Sequence, residues 1–247
     1  MKYDINLIEK VVEEFKLNPN KLALSKKFKI PRATLRYWLN TDFLERKNIA
    51  KIVEDNYLER IFDRVRKNKE IYNFILGLYI GDGCITKNKM SYRIRIVQDN
   101  KYNDSIKEIS SVMESFFEKN STLTCQEGCT VVTIFDKYLP FYFPQHGEGK
   151  KHNRKIELAD FQLQNIDYRN LMRGLFISDG SYYKAKQKYE RYNFTNKSLD
   201  IINIFRDCLN YFDISHGCRI KQNGIYVVEI QKKSEVVKMK DLVGIKS

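Results

Sequence analysis

The chain has 247 residues, of which 43% are hydrophobic and 30% charged. That balance suits a globular protein and excludes a disordered chain, and no apolar run approaches the roughly 20 residues that span a bilayer. Lys and Arg number 44 against 31 Asp and Glu, a formal net charge of +13, which favours a polyanionic partner, nucleic acid first. The opening Met1-Lys2-Tyr3-Asp4 has no signal-peptide apolar core, so the expected location is cytoplasmic or nucleoid-associated, with no membrane partner. The five cysteines, Cys84, Cys125, Cys129, Cys208 and Cys218, are odd in number and argue against a disulfide framework. Cys125 and Cys129 have no second Cys or His pair at zinc spacing. His146, His152 and His216 are scattered and form no triad signature.

Residues 4–39 read as three short helices. Ile5, Leu7, Ile8, Val11, Val12 and Phe15 recur with helical periodicity, and Asn18-Pro19-Asn20 ends the run. Leu22, Ala23, Leu24 and Phe28 mark a second helix over 21–28. Pro31 stands where a helix start tolerates it, and Arg32 to Leu39 form the third. The arrangement resembles a helix-turn-helix of the resolvase and homeodomain-like kind, with Leu35, Trp38 and Leu39 inward. Arg32, Thr34 and Arg36 are then free to face a major groove. Residues 1–45 are assigned to this all-α domain; plain three-helix packing is the alternative. Residues 46–70 read as a basic helical linker, whose Arg60, Arg64, Arg66, Lys67 and Lys69 form a solvated face or track a phosphate backbone.

From residue 71 the pattern is written twice. Asn73 to Gly83 and Asn170 to Gly180 each place an apolar run with a central glycine, Gly77 or Gly174, before an Asp-Gly pair. After the first pair, strands are expected at Cys84–Thr86 and Tyr92–Gln98, where Arg93 and Arg95 alternate with Ile94 and Ile96. An amphipathic helix follows over 104–118, then a hairpin around Gly128 and a short helix over 137–143. The second copy keeps that order: strands at 181–185 and 191–195, a helix over 199–212, a hairpin around Asn223-Gly224 and a last helix over 233–243. Each unit is therefore αββαββα, with repeat one at 71–164 and repeat two at 165–247. A carboxylate directly after a helix-like apolar run, made twice, points to two acids meeting at one place.

The segments Ile75–Gly83 and Met172–Gly180 resemble the LAGLIDADG motif of homing endonucleases, and the duplicated order is similar to that family's single-chain form. The resemblance implies an α+β fold in which two pseudo-symmetric repeats build a β-saddle on DNA, and a monomer. Gly77 and Gly174 would let two helix backbones pack closely and bring Asp82 and Asp179 side by side. Two carboxylates that close repel and call for a cation, for which Mg²⁺ (or Mn²⁺) suits oxygen ligands. The family also uses the backbone carbonyl before each acid, here Gly81 and Ser178. Where the motif often carries an earlier acid, this sequence has Ile80 and Ile177. A polar residue closing the second strand commonly orders water: Gln98 fits in repeat one and Asn196 less closely in repeat two. A lysine near the site is expected from Gly147 to Ile156, Lys151 first and Lys150 second; Lys246 is the remaining candidate in repeat two. The resemblance implies a site-specific, metal-dependent endonuclease for double-stranded DNA. A non-cutting DNA-binding regulator of the same fold, and a maturase that binds intron RNA, are the other readings.

Overall fold

The computed structural model describes residues 3–39 and 57–245. The chain divides into two compact units, 1–60 and 61–247. In the first, α1 (Ile5–Leu17), α2 (Lys21–Phe28) and α3 (Arg32–Trp38) close around Ile8, Val11, Leu24, Ile30, Leu35 and Trp38. Asn20 caps α2 by accepting from the backbone N–H of Leu22 and Ala23 at 3.1 and 3.0 Å. Lys29 ends it in the left-handed region, at φ 53°, and turns the chain toward α3. Pro31 is the residue before α3 and not its first member. Its extended ψ starts the helix without a side-chain cap. Arg32, Arg36 and Tyr37 are exposed and Thr34 is half-buried. Residues 40–56, the end of the expected 1–45 domain and the first part of the expected linker, lie outside the described residues; 57–67 are helical (α4), with Ile61 and Val65 in the core of the second unit.

Among the described residues, the second unit carries two four-stranded antiparallel sheets built on two central helices. The helices are α5 (Lys69–Ile80) and α9 (Tyr168–Asp179). Every residue of α5 from Tyr72 to Ile80 is buried. A helix with no polar stripe has no solvent side, so protein must surround it. The two cross where both lack a side chain. A Cβ on Gly77 would stand 2.4 Å from the Leu171 carbonyl oxygen, and one on Gly174 2.2 Å from that of Phe74.

The first sheet takes β1 (Cys84–Asn88), β2 (Ser91–Asp99), β3 (Thr122–Gln126) and β4 (Cys129–Asp136) in the order β1-β2-β4-β3. The second takes β5 (Gly180–Ala185), β6 (Tyr189–Asn196), β7 (Gly217–Ile220) and β8 (Tyr226–Ile230) in the order β5-β6-β8-β7. Helices α6 (Asn103–Phe117) and α10 (Leu199–Tyr211) connect the hairpins and bury one apolar side each; Phe205 of α10 stacks on Phe194 of β6 at 4.1 Å. α7 (Leu139–Tyr142) and α11 (Lys233–Val243) close the repeats. Cys84 pairs Arg95 in the first sheet and Ser181 pairs Asn193 in the second, so Gln98 and Asn196 occupy equivalent positions, three residues on.

One helix is not foreseen by the sequence pattern: α8 (Asp160–Gln164), between the repeats. Its Gln162 is buried and donates to the Tyr72 hydroxyl at 2.7 Å, which donates to the Tyr142 carbonyl at 2.6 Å. This chain ties the connector to α5 and α7, each buried polar group meeting a partner. No helix of the described residues is long and apolar enough to cross a membrane.

Candidate active site

The two Asp-Gly pairs are built differently at the helix ends. α9 runs through Asp179, and β5 starts at Gly180. α5 stops at Ile80, and Asp82 sits in a turn closed by Gly81 N–H to the Gly77 carbonyl and Gly83 N–H to the Leu78 carbonyl, both 3.0 Å. Gly83 leaves no room for a side chain: its Cβ would stand 2.6 Å from Tyr79 Cα. A Cβ on Gly81 would meet Ser178 Cβ at 2.3 Å and Asp179 Oδ2 at 3.3 Å. The carboxylate of the second motif therefore lies against the bare backbone of the first. Ser178 Oγ donates across the helix pair to the Leu78 carbonyl at 3.3 Å and within its own helix to Gly174 at 3.1 Å.

A cleft of about 940 Å³ opens over these ends, lined by Asp82, Asp179, Asn196, Lys150, Lys151 and Arg154 among others. Asn196 Nδ2 donates to Asp179 Oδ2 at 2.8 Å, fixing that carboxylate. Gln98, its counterpart, is buried, lines no part of the cleft, and leaves Nε2 without a hydrogen-bond partner. The shorter amide is thus the one in contact with an acid. Lys151 comes from a 3-10 turn at Lys151–Asn153 and puts its ammonium on the open end of α5. It donates to the carbonyls of Gly81 at 2.8 Å and Ile80 at 3.1 Å, and also to Tyr79. A cation at a helix C-terminus answers carbonyls that lack intrahelical donors. Burial pushes the Lys151 amine down to about 8, against the opposite pull of Asp179 and Asp82. Lys150 is exposed on the cleft wall, and Lys246 lies outside the described residues.

The cleft lining holds two carboxylates, Asp82 and Asp179, with the Gly81 carbonyl accepting from Lys151 beside them. Oxygen donors of this kind suit a hard divalent cation such as Mg²⁺. No group of three or more His, Cys, Asp and Glu stands together among the described residues.

The outer faces of the sheets differ in charge. On β2, Ile94 and Ile96 point inward and Arg93 and Arg95 are half-buried on the other face, with Arg93 Nε donating to Thr86 Oγ1 at 2.9 Å. In repeat two the matching positions carry Arg191 and Asn193, and Arg219 is paired with Glu229 at 2.8 Å. Thr86, Asn193, Arg219 and the cleft residue Arg154 are absent from the sequence expectation. Alternation along each strand marks the first three as outward; nothing local marks Arg154.

Two family models match the chain. The one described as a LAGLIDADG-like domain covers residues 167–244, and the one described as the WhiA LAGLIDADG-like domain covers residues 71–136. Among solved structures, the chain is similar to I-DmoI in complex with DNA and Mn, with 18% identity and a TM-score of 0.54 over 71% of this chain and 96% of that one. It is also similar to the homing endonuclease I-WcaI bound to its DNA recognition sequence, with 19% identity and a TM-score of 0.51 over 72% of this chain and 83% of that one. At these identities the likeness is one of fold. No curated protein sequence matches the chain.

Proposed function

The protein belongs to the LAGLIDADG family, and from that premise we propose that it is a metal-dependent endonuclease cutting both strands of a specific DNA site. One observation carries the reading: the Asp179 carboxylate lies against Gly81, so two glycine-crossed helices deliver their Asp-Gly ends to a single cleft that also holds Lys151. Asp82 and Asp179, with the Gly81 and Ser178 carbonyls, would hold Mg²⁺ or Mn²⁺. When bound, such a cation supplies Lewis acidity and an activated water for phosphodiester hydrolysis. The chain's own residues do the rest. Asn196 orients Asp179, Lys151 stands where charge develops near one scissile phosphate, and Arg93 and Arg95 meet the DNA backbone or base edges.

The test is incubation with a randomised-target DNA library in Mg²⁺. Recovery of doubly cut molecules sharing one site is the expected result. Retention of a shared site without any cut would instead select a DNA-binding regulator of the same fold, a second reading that draws on the WhiA LAGLIDADG-like match over residues 71–136. Preferential capture of an intron transcript would point to RNA.

The two halves of the site are unequal, and this has a kinetic consequence. Repeat one brings Lys151 onto the end of α5, while Asp179 is held by Asn196. We expect unequal cutting of the two strands, with a nicked plasmid intermediate. Lys151→Met should slow one strand by about 10²-fold and the other far less. Separately end-labelled strands followed in one time course provide the check; equal rates in the wild type and no bias in Lys151→Met would refute the asymmetry.

The three N-terminal helices are read as an added DNA-binding element. Removing residues 1–45 should shorten the protected footprint and weaken specific binding while the cleft still cuts. Arg32→Ala or Arg36→Ala, both exposed on α3, should each cost about 1–3 kcal/mol if the side chain is bidentate to guanine. An unchanged footprint after the deletion would remove this assignment.

A further inference from the structure

We propose that Glu229 and Arg219 act as a pair on the outer face of the second sheet, the carboxylate positioning the guanidinium to read a guanine and keeping it off phosphate. The inference rests on the reading above that this face lies on DNA, and adds to it one base of the target. Glu229 is on β8, a central strand of its sheet. Val228 and Ile230 on either side of it belong to the core, so Glu229 turns to the outer face. Asn193 lies opposite it on β6. Arg219 is on the edge strand β7, in register with Val227, two residues along β8 from Glu229 and so on the same face. Neither residue lines the cleft, and β7 lies three strand spacings, roughly 14 Å, from the β5 strand that follows Asp179.

An acid on a surface meant for a polyanion is unfavourable unless it has a task there. Glu229 is fully engaged: Oε1 accepts from Arg219 Nη2 at 2.8 Å and Oε2 from Gln231 Nε2 at 3.0 Å. The bond from Arg219 holds its carboxyl below the ordinary value, so it stays charged at neutral pH. Its side chain is 16% exposed, against 57% for Arg219. The carboxylate is covered and the guanidinium is open. Arg219 spends one N–H on Glu229, and its other donors have no partner among the described residues. The other arginines of the outer faces differ. Arg93 meets the neutral Thr86 hydroxyl at 2.9 Å, and no carboxylate pairs with Arg95 or Arg191 among the described residues. Those keep a full charge for phosphate. A phosphate drawn to Arg219 would also face the Glu229 carboxylate, and the two anions repel. Guanine instead offers two uncharged acceptors, O6 and N7, that match an arginine fork. The charge-assisted bond to Glu229 also sets the fork's direction before DNA arrives.

The experiment uses the full chain and the target recovered by binding selection in Ca²⁺, with every base pair replaced in turn and affinity read at several salt concentrations. In the wild type, one G·C pair of the half-site under repeat two should be required, each replacement there weakening binding about ten- to hundredfold. 7-Deazaguanine at that position should bring much of the same loss, since it removes N7. Arg219→Gln should flatten the preference at that pair and at no other. Glu229→Gln keeps an acceptor for Arg219 and loses the repulsion. It should lower discrimination at the same pair while raising affinity for random DNA and steepening the salt dependence by about one phosphate contact. A merely structural role for Glu229 would not raise affinity for random DNA. Glu229→Asp, which keeps the charge, should hold the salt dependence of the wild type, and it serves as the comparison if Glu229→Gln melts early. A half-site in which Arg219→Gln flattens no guanine would overturn the pair, as would a Glu229→Gln variant that binds random DNA no better than the wild type. The binding arm needs no cutting. A chain that binds its site and never cuts refutes the endonuclease reading and leaves the pair standing, whereas a chain that cuts with no guanine tied to Arg219 refutes only the pair.

Discussion

Asp82→Asn and Asp179→Asn are each expected to leave the target DNA bound and uncut. Asparagine has the shape of aspartate and lacks its charge, so the sheets proposed to lie on DNA are untouched while a proposed metal ligand loses its charge. At position 179 the amide oxygen can still accept from Asn196, whose Nδ2 now sits 2.8 Å from Asp179 Oδ2, so the local geometry survives. At position 82 the turn is held by backbone bonds from Gly81 and Gly83 and does not depend on the side chain's charge. The expected loss is several kcal/mol of barrier lowering, roughly a thousandfold or more in the rate of cutting either strand. Affinity measured by filter binding should stay within about the small shift that exposed substitutions cause. Cutting near the wild-type rate in either variant would remove that acid from the site. A parallel collapse of binding would show instead that the acid holds the fold of the helix ends.

Much of this site can be read from the sequence because its parts obey strong local rules. α5 is apolar on nearly every face and α9 carries a buried run from Leu171 to Ile177 broken by Arg173, each with a central glycine, a pattern that suits buried, closely crossed helices. The strands show themselves by alternation, Arg93 and Arg95 against Ile94 and Ile96. Order within the repeat follows, since α6 and α10 each bear a single apolar stripe. Less is legible where tertiary position decides. α8 has five residues, too few for periodicity to register, and it is held by the buried Gln162 and not by its own propensity. Gln98 and Asn196 are both amides at equivalent strand positions, yet only Asn196 reaches a carboxylate in this structure. In the run from Lys150 to Lys155 one basic residue looks like another. Lys151 is singled out because the 3-10 turn carries it to the end of α5, and Arg154 because Gly147, seven residues earlier, leaves a space for it.

The second large effect is on the fold itself, and it bears directly on the acids. Gly174→Ala is expected to destabilise the protein strongly, and Gly174→Val to prevent folding. The added Cβ would stand 2.2 Å from the Phe74 carbonyl oxygen, 2.9 Å from the Leu78 nitrogen and 3.0 Å from Gly77 Cα. These are backbone atoms of the opposing helix, so no rotamer change relieves the clash and the helices must move apart. Separation would loosen the buried run from Tyr72 to Ile80, which packs on both repeats at once. Overpacking in cores costs about 1–3 kcal/mol where side chains can shift, and more is expected where they cannot. Against a net stability of about 5–15 kcal/mol that is a large fraction. At about 2–4 °C per kcal/mol for a chain of this size, a fall of about 10 °C in Tm is the expected scale for Gly174→Ala. Gly224→Ala is the control: its φ is +74°, and nothing lies within 4 Å of the added carbon, so only left-handed backbone strain of about 1–2 kcal/mol applies. A Gly174→Ala variant melting no lower than Gly224→Ala would contradict the close crossing. If Gly174→Ala folds, it should bind DNA better than it cuts, because widening the crossing draws Asp179 away from Gly81 while leaving each sheet intact. Equal losses of binding and cutting would uncouple the glycine contact from the geometry of the acids.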